Sequence, residues 1–216
     1  MRNMLKYCKS SSFLFTFTSV LGLLSGKILG ELGILVNEEG IQYYAQVHQS
    51  MHNSIIHTIF MPFTVYGISC WIPAFFGIIF GKWFDTYHKT RLQKMVWLWY
   101  ILHYATIDLF VAYITIAWYM IACASAYEKV ARGYTSIGKW FSELFRMNKL
   151  SHETVISNSR LFVHGFIWMT ISLVIQEVWG HWYGGDDPSR VEGIPNAILY
   201  AGIYPMWHVI KGIPSM

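Results

Sequence analysis

Three histidines and an asparagine crowd into YYAQVHQSMHNSIIHTIFMP, residues 43–62, where a long uncharged run begins. A neutral imidazole is cheaper to bury in a membrane than a carboxylate or an ammonium, yet both of its nitrogens need partners. Several imidazoles meeting inside a bundle therefore favour a metal ion or a proton path. Spacing limits which of them can meet. His48 and His57 are nine residues apart, about 180° around an unbroken helix, so they can share a metal only if the helix breaks between them. Asn53 and His57 stand at i and i+4 on one face. A turn near 49–53 would bring His48 back over His57 and leave Asn53 to orient an imidazole or a water on the metal. His52 lies one turn from His48, a spacing that can chelate. His164, three residues into a later apolar run, could face the same cavity. Cys8, Cys70 and Cys123 are far apart and form neither a metal motif nor a disulfide framework.

The elements that must position these residues are apolar. The chain has 216 residues, 54% of them hydrophobic, 18% aromatic and 13% charged. Soluble domains carry about 25% charged residues, so the deficit points to a membrane protein. Residues 55–81 and 95–123 each exceed the roughly 20 residues that cross a bilayer as helix. Residues 161–179 are a shorter third candidate ending near Gln176 and Glu177, and 194–210 a fourth at the lower limit. Trp97, Trp118, Trp179 and Trp182 near the segment ends suit the headgroup level. The expected fold is all-α: an integral membrane bundle of about four apolar helices, with an N-terminal interfacial or anchor helix and a polar amphipathic helix at 127–160.

Charge supplies the remaining expectations. Arg2, Lys6 and Lys9 precede an apolar run with no acid before Glu31, a pattern of a signal anchor or a mitochondrial transit peptide, and residues 1–36 are set apart from a membrane domain at 40–212. The net charge of +4 is spread over loops and suggests the lipid bilayer and its anionic headgroups as partner, with no nucleic acid. Loops 82–94 and 124–160 are both basic. If 55–81 and 95–123 each cross once, these loops fall on opposite sides, and the positive-inside rule cannot favour both. A bend at Pro62 and Pro73 that returns the first segment would remove the conflict. Asp108, well inside the second segment, is either satisfied by Tyr104 one turn earlier or takes part in proton delivery.

The pattern His48-x4-Asn53-x3-His57-x4-Pro62, preceded by Tyr44, resembles the opening motif of the fungal-type 2-hydroxy fatty acid dioxygenase family, small multispanning proteins of the endoplasmic reticulum. Gly180-His181 at the end of 161–179, then Pro188 and RVEGIPNAILYAGIYP, resemble that family's closing segment, so the likeness covers roughly 40–210. The resemblance implies an Fe(II)-dependent enzyme that shortens 2-hydroxy fatty acids by one carbon with O2, in the endoplasmic reticulum membrane. It implies His48, His57 and His181 as iron ligands. The family's glutamate four residues after the last histidine is replaced here by Gly185, with Asp186 and Asp187 beyond. Its glutamine four residues before that histidine is displaced: Glu177 holds the position and Gln176 adjoins it. Asn53 and Glu177 are accordingly the expected catalytic residues, with Asp186 as an alternative carboxylate. The other expectation is a non-catalytic accessory or structural subunit of a membrane complex, for example in the mitochondrial inner membrane, with partner proteins there.

Overall fold

The computed structural model describes residues 44–46, 48–133, 156–186 and 200–212. All regular structure among the described residues is helical. Helix α1, Met51–Phe80, leads through a 3-10 turn at Gly81–Trp83 to α2, Thr86–Ile107. Helix α3, Leu109–Arg132, follows, then α4, Asn158–Ile175, which continues as a π-helix over Gln176–Trp182. Helix α5, Tyr204–Lys211, is last. Three stretches are long and apolar enough to cross a membrane: Met51–Trp83, Leu109–Arg132 and Asn158–Trp182.

Pro62 and Pro73 lie inside α1 without ending it, so the first segment does not bend back as the charge pattern suggested. A proline removes the N–H that would bond the carbonyl four residues earlier, which in a dry bundle must find another donor. Both freed carbonyls do. Trp118 Nε1 donates to the Thr58 carbonyl at 2.8 Å, and Gln93 Nε2 donates to the Ser69 carbonyl at 2.7 Å. The proline positions thus become the points where α1 is tied to α3 and α2.

The break falls in the second apolar segment instead. At Asp108 the backbone is extended, and its carboxylate caps α3 by accepting from Val111 N at 3.0 Å. Its other oxygen accepts from Lys211 on α5. The side chain of Tyr104 is therefore not the partner of Asp108; the contact between these residues is Asp108 N to the Tyr104 carbonyl, 3.1 Å. Beyond this pivot α3 runs back along α2: Gln93 Nε2 reaches the Ala126 carbonyl at 3.3 Å, and the Lys94 ammonium lies 5.1 Å from the Tyr127 ring centre. Residues 95–123 are a hairpin and not one span. Of the fourth candidate, 194–210, residues 200–210 are described and carry a turn at 201–203 and most of the eight-residue α5, about 12 Å long, while 194–199 lie outside the described residues. The expected amphipathic helix at 127–160 is divided: 127–132 close α3, 158–160 open α4, and 134–155 lie outside the described residues, as does the N-terminal segment 1–36.

The hairpin puts the basic loops together. Asn158, opening α4, donates Nδ2 to the Gly77 carbonyl near the end of α1, 2.7 Å away, and accepts from Lys89 on α2. Lys82, Lys89, Arg91, Lys94, Lys129, Arg132 and Arg160 therefore share one end of the bundle with Asp85 and Glu128. The opposite end holds Asp108, Glu177, Asp186 and Lys211. Helices α1 and α4 cross where Gly67 and Gly165 meet: a Cβ on Gly67 would lie 2.6 Å from Met169 N, and one on Gly165 2.6 Å from Trp71 N. Without a hydrophobic force between helices in lipid, such small-residue crossings let backbones pack directly.

Candidate metal centre

The charge-poor end of α1 starts with Ser50 as its cap residue, in extended conformation. His48 therefore precedes the helix and is free to fold over its first two turns, as the nine-residue spacing required. Asp186 holds this corner: both carboxylate oxygens lie 3.1 Å from Ser50 N, and Oδ2 accepts from Asn53 Nδ2 at 2.7 Å. A carboxylate here also faces the positive end of the helix dipole.

His48, His57 and His181 converge. Each offers a ring nitrogen, and the three nitrogens lie within 4.8 Å of one another. The ring centres are 5.2 Å (His48–His57), 4.5 Å (His48–His181) and 5.3 Å (His57–His181) apart, with interplanar angles of 75–85°. All three are buried, at 1%, 4% and 1% exposure.

The surroundings select neutral, correctly turned rings. His48 Nδ1 donates to the Tyr44 carbonyl at 3.0 Å, and Tyr44 stacks on the ring at 3.9 Å. That bond fixes the tautomer, leaving the lone pair of Nε2 directed elsewhere. Burial, reinforced by the adjacent His181, pushes the His48 pKa from 6.5 down to about 3, which the Tyr44 carbonyl only partly opposes. The ring is thus uncharged at neutral pH, the form that ligates metal. Among the described residues, His48 Nε2 and both nitrogens of His57 have no hydrogen-bond partner. A buried polar atom left unpaired costs about 1–3 kcal/mol, and a bound cation would relieve these together. The residues fit a metal ion by their chemistry.

Asn53, at 0% exposure, lies 3.5 Å from His181 Nδ1 through Nδ2, so it touches a candidate ligand as well as Asp186. Gly180 explains its place before His181. A Cβ there would stand 2.5 Å from Asn53 Oδ1 and 3.2 Å from His57 Cδ2, in the space the two side chains occupy.

The π-helix accounts for the displaced glutamine. Closing on the fifth residue instead of the fourth, it brings Gln176 onto the buried face with His181, and both are 1% exposed. Gln176 Nε2 donates to Thr64 Oγ1 at 2.9 Å and lies 3.0 Å from Ser172 Oγ, while Thr64 and Ser172 bond each other at 2.8 Å, joining α1 to α4. Asp186 repeats the device, its N–H reaching the His181 carbonyl five residues back at 3.1 Å. Glu177 is half-buried and is not one of the three converging residues. Its charge reaches Tyr44, whose hydroxyl is raised well above 10, by burial first and Glu177 next.

The other histidines lie outside the triad. His52 is exposed, His164 pairs with the Tyr66 hydroxyl at 2.8 Å, and His103 stacks on Trp99 at 5.3 Å. His208 shares a 2.6 Å hydrogen bond with Ser54, the neighbour of Asn53. Tyr204 donates to the His48 carbonyl at 3.0 Å. Its position near the Pro of the closing segment was the only signal in the sequence that could have found it. Family models, curated proteins and solved structures were all compared with this chain, and none matches it.

Proposed function

We propose that this chain is a membrane-embedded, iron(II)-dependent dioxygenase that shortens 2-hydroxy fatty acids by one carbon. The observation that carries the reading is the convergence of His48, His57 and His181, brought from separate parts of the chain into one buried cluster. A three-imidazole set suits Fe(II), zinc and other divalent metals alike, and iron is preferred here on the resemblance of the histidine and asparagine spacing. Iron, when bound, supplies the capacity to activate O2. The protein's own part is to hold three neutral imidazoles on fixed backbones and to exclude water from them. Asn53 orients His181, with Asp186 anchoring Asn53 to the start of α1. Glu177, half-buried and acting electrostatically on Tyr44, remains a proposed catalytic residue, with Asp186 as the alternative carboxylate. The bilayer would deliver the acyl tail laterally, and the endoplasmic reticulum is the proposed membrane.

The test is anaerobic purification with metal analysis, followed by O2-dependent turnover of 2-hydroxypalmitate by the parent and His57→Ala proteins. Stoichiometric iron with turnover that His57→Ala abolishes is the expected result. Iron without turnover would leave metal binding standing and remove the reaction. A second reading, an accessory subunit of a membrane complex, is favoured by one observation: among the described residues no carboxylate joins the three histidines.

A further inference from the structure

We propose that the basic end of the bundle lies on the cytosolic face of the membrane, against the anionic headgroups of that leaflet. The three-histidine centre then lies toward the opposite compartment. This goes beyond the enzymatic reading and holds whether or not the centre is catalytic.

Helix α1 joins the two ends. Its thirty residues measure about 45 Å, more than the roughly 30 Å of a hydrocarbon core, so a spanning α1 puts Phe80 and His48 at opposite interfaces. Aromatic side chains mark an interface at each end: Trp83 is 88% exposed at the basic end, and Trp182 and Tyr183 are 78% and 73% exposed beside His181. Such rings settle at headgroup level.

The described charges divide unequally between these two levels. Seven lysines and arginines face two acids at the basic end, against one lysine and three acids at the histidine end. Lys82, Lys94, Arg132 and Arg160 are exposed there, whereas Lys89 is taken up by Asn158. Cytoplasmic loops carry the excess of Lys and Arg, and the cytoplasmic leaflet carries the anionic lipid that attracts them. The pivot at Asp108 makes this assignment self-consistent, because it brings Arg91 and Arg132 to the same side.

Cysteine accessibility tests the orientation without any assay of metal or turnover. In a parent with Cys8→Ser and Cys123→Ser, Cys70 stays as a silent thiol at 0% exposure. Trp83→Cys and Tyr183→Cys are then made singly and treated, in sealed microsomes with their cytosolic face outward, with a membrane-impermeant maleimide. Trp83→Cys is expected to label at once, and Tyr183→Cys only after permeabilisation. The reverse pattern, or equal labelling of both, overturns the proposal. Lys82→Glu with Arg91→Glu and Lys94→Glu is expected to raise labelling of Tyr183→Cys in sealed vesicles severalfold. An unchanged pattern in that variant overturns the role given to the headgroups.

Discussion

At the scale of single residues, the centre depends on groups that are expensive to bury alone. His48, His57 and His181 share one cluster, so removing any one leaves two imidazoles and an incomplete set. His181→Ala is expected to lower metal content at least tenfold in the purified protein, measured by elemental analysis, since even residues that only support a ligand typically cost 10–100-fold. Gly180→Ala should do nearly the same although it deletes nothing, because the added Cβ takes the place of Asn53 Oδ1 and presses on His57. Retention of full metal by Gly180→Ala would show that the two side chains can move aside. His48, Asn53 and His57 were legible from type and spacing, and so was the need for a break after His48, whereas His181 entered only through the resemblance of Gly180-His181. That Gln176 faces inward, and Glu177 only partly, was not legible, because the choice depends on a π-turn that no local pattern announces.

At the scale of elements, two prolines and one aspartate determine how the helices meet. Gln93→Ala leaves the Ser69 carbonyl without the donor that replaces the lost proline bond. It is expected to cost about 1–3 kcal/mol, read as a lower midpoint of thermal unfolding in detergent, while the same change at exposed Lys94 costs little. Asp108→Ala removes a helix cap, worth about 1 kcal/mol, together with the pair to Lys211. Its pH dependence has a definite sign. Burial raises the Asp108 pKa, but the Lys211 and Val111 hydrogen bonds outweigh it and hold the group below 3.8. The unfolded chain then binds the proton more tightly, so the stabilisation is present above about pH 4 and lost as the pH falls further. The pH sensitivity of the unfolding midpoint between pH 5 and pH 3 should therefore be smaller in Asp108→Asn than in the parent. Hydropathy found the apolar segments but read 95–123 as one helix, since an average over many residues is blind to a single capping carboxylate. Pro62 and Pro73 misled for the converse reason: the sequence does not show that Trp118 and Gln93 supply the missing donors.

At the scale of the whole molecule, the centre closes only when three parts of the chain are in register: the residues before α1, the first turns of α1, and the end of α4. The Gly67–Gly165 crossing and the Thr64–Ser172–Gln176 bonds hold α1 to α4 between the basic end and the histidines. Metal binding should therefore be linked to global stability. At a metal concentration one hundred times Kd, the folded state gains about 2.7 kcal/mol, seen as a rise in the unfolding temperature of the parent that is absent in His181→Ala. Gly165→Leu forces the crossing apart and is expected to destabilise the bundle by about 1–3 kcal/mol, with loss of metal more than ten residues away along the chain. A metal-dependent rise that survives in His181→Ala would place the binding elsewhere.

The amino-acid sequence alone determined the helical membrane class, the candidacy of His48 and His57 and the requirement that the chain turn between them. These are local properties, legible from composition, periodicity and fixed spacing. Tertiary structure decided which carboxylate caps a helix, which donors replace the prolines' missing N–H groups, and which side of the bundle each basic stretch occupies. It also decided that His181 reaches the other two. Each of those outcomes depends on contacts between residues dozens of positions apart, and packing sets them, because a buried polar atom can be paired only by whatever the fold brings beside it.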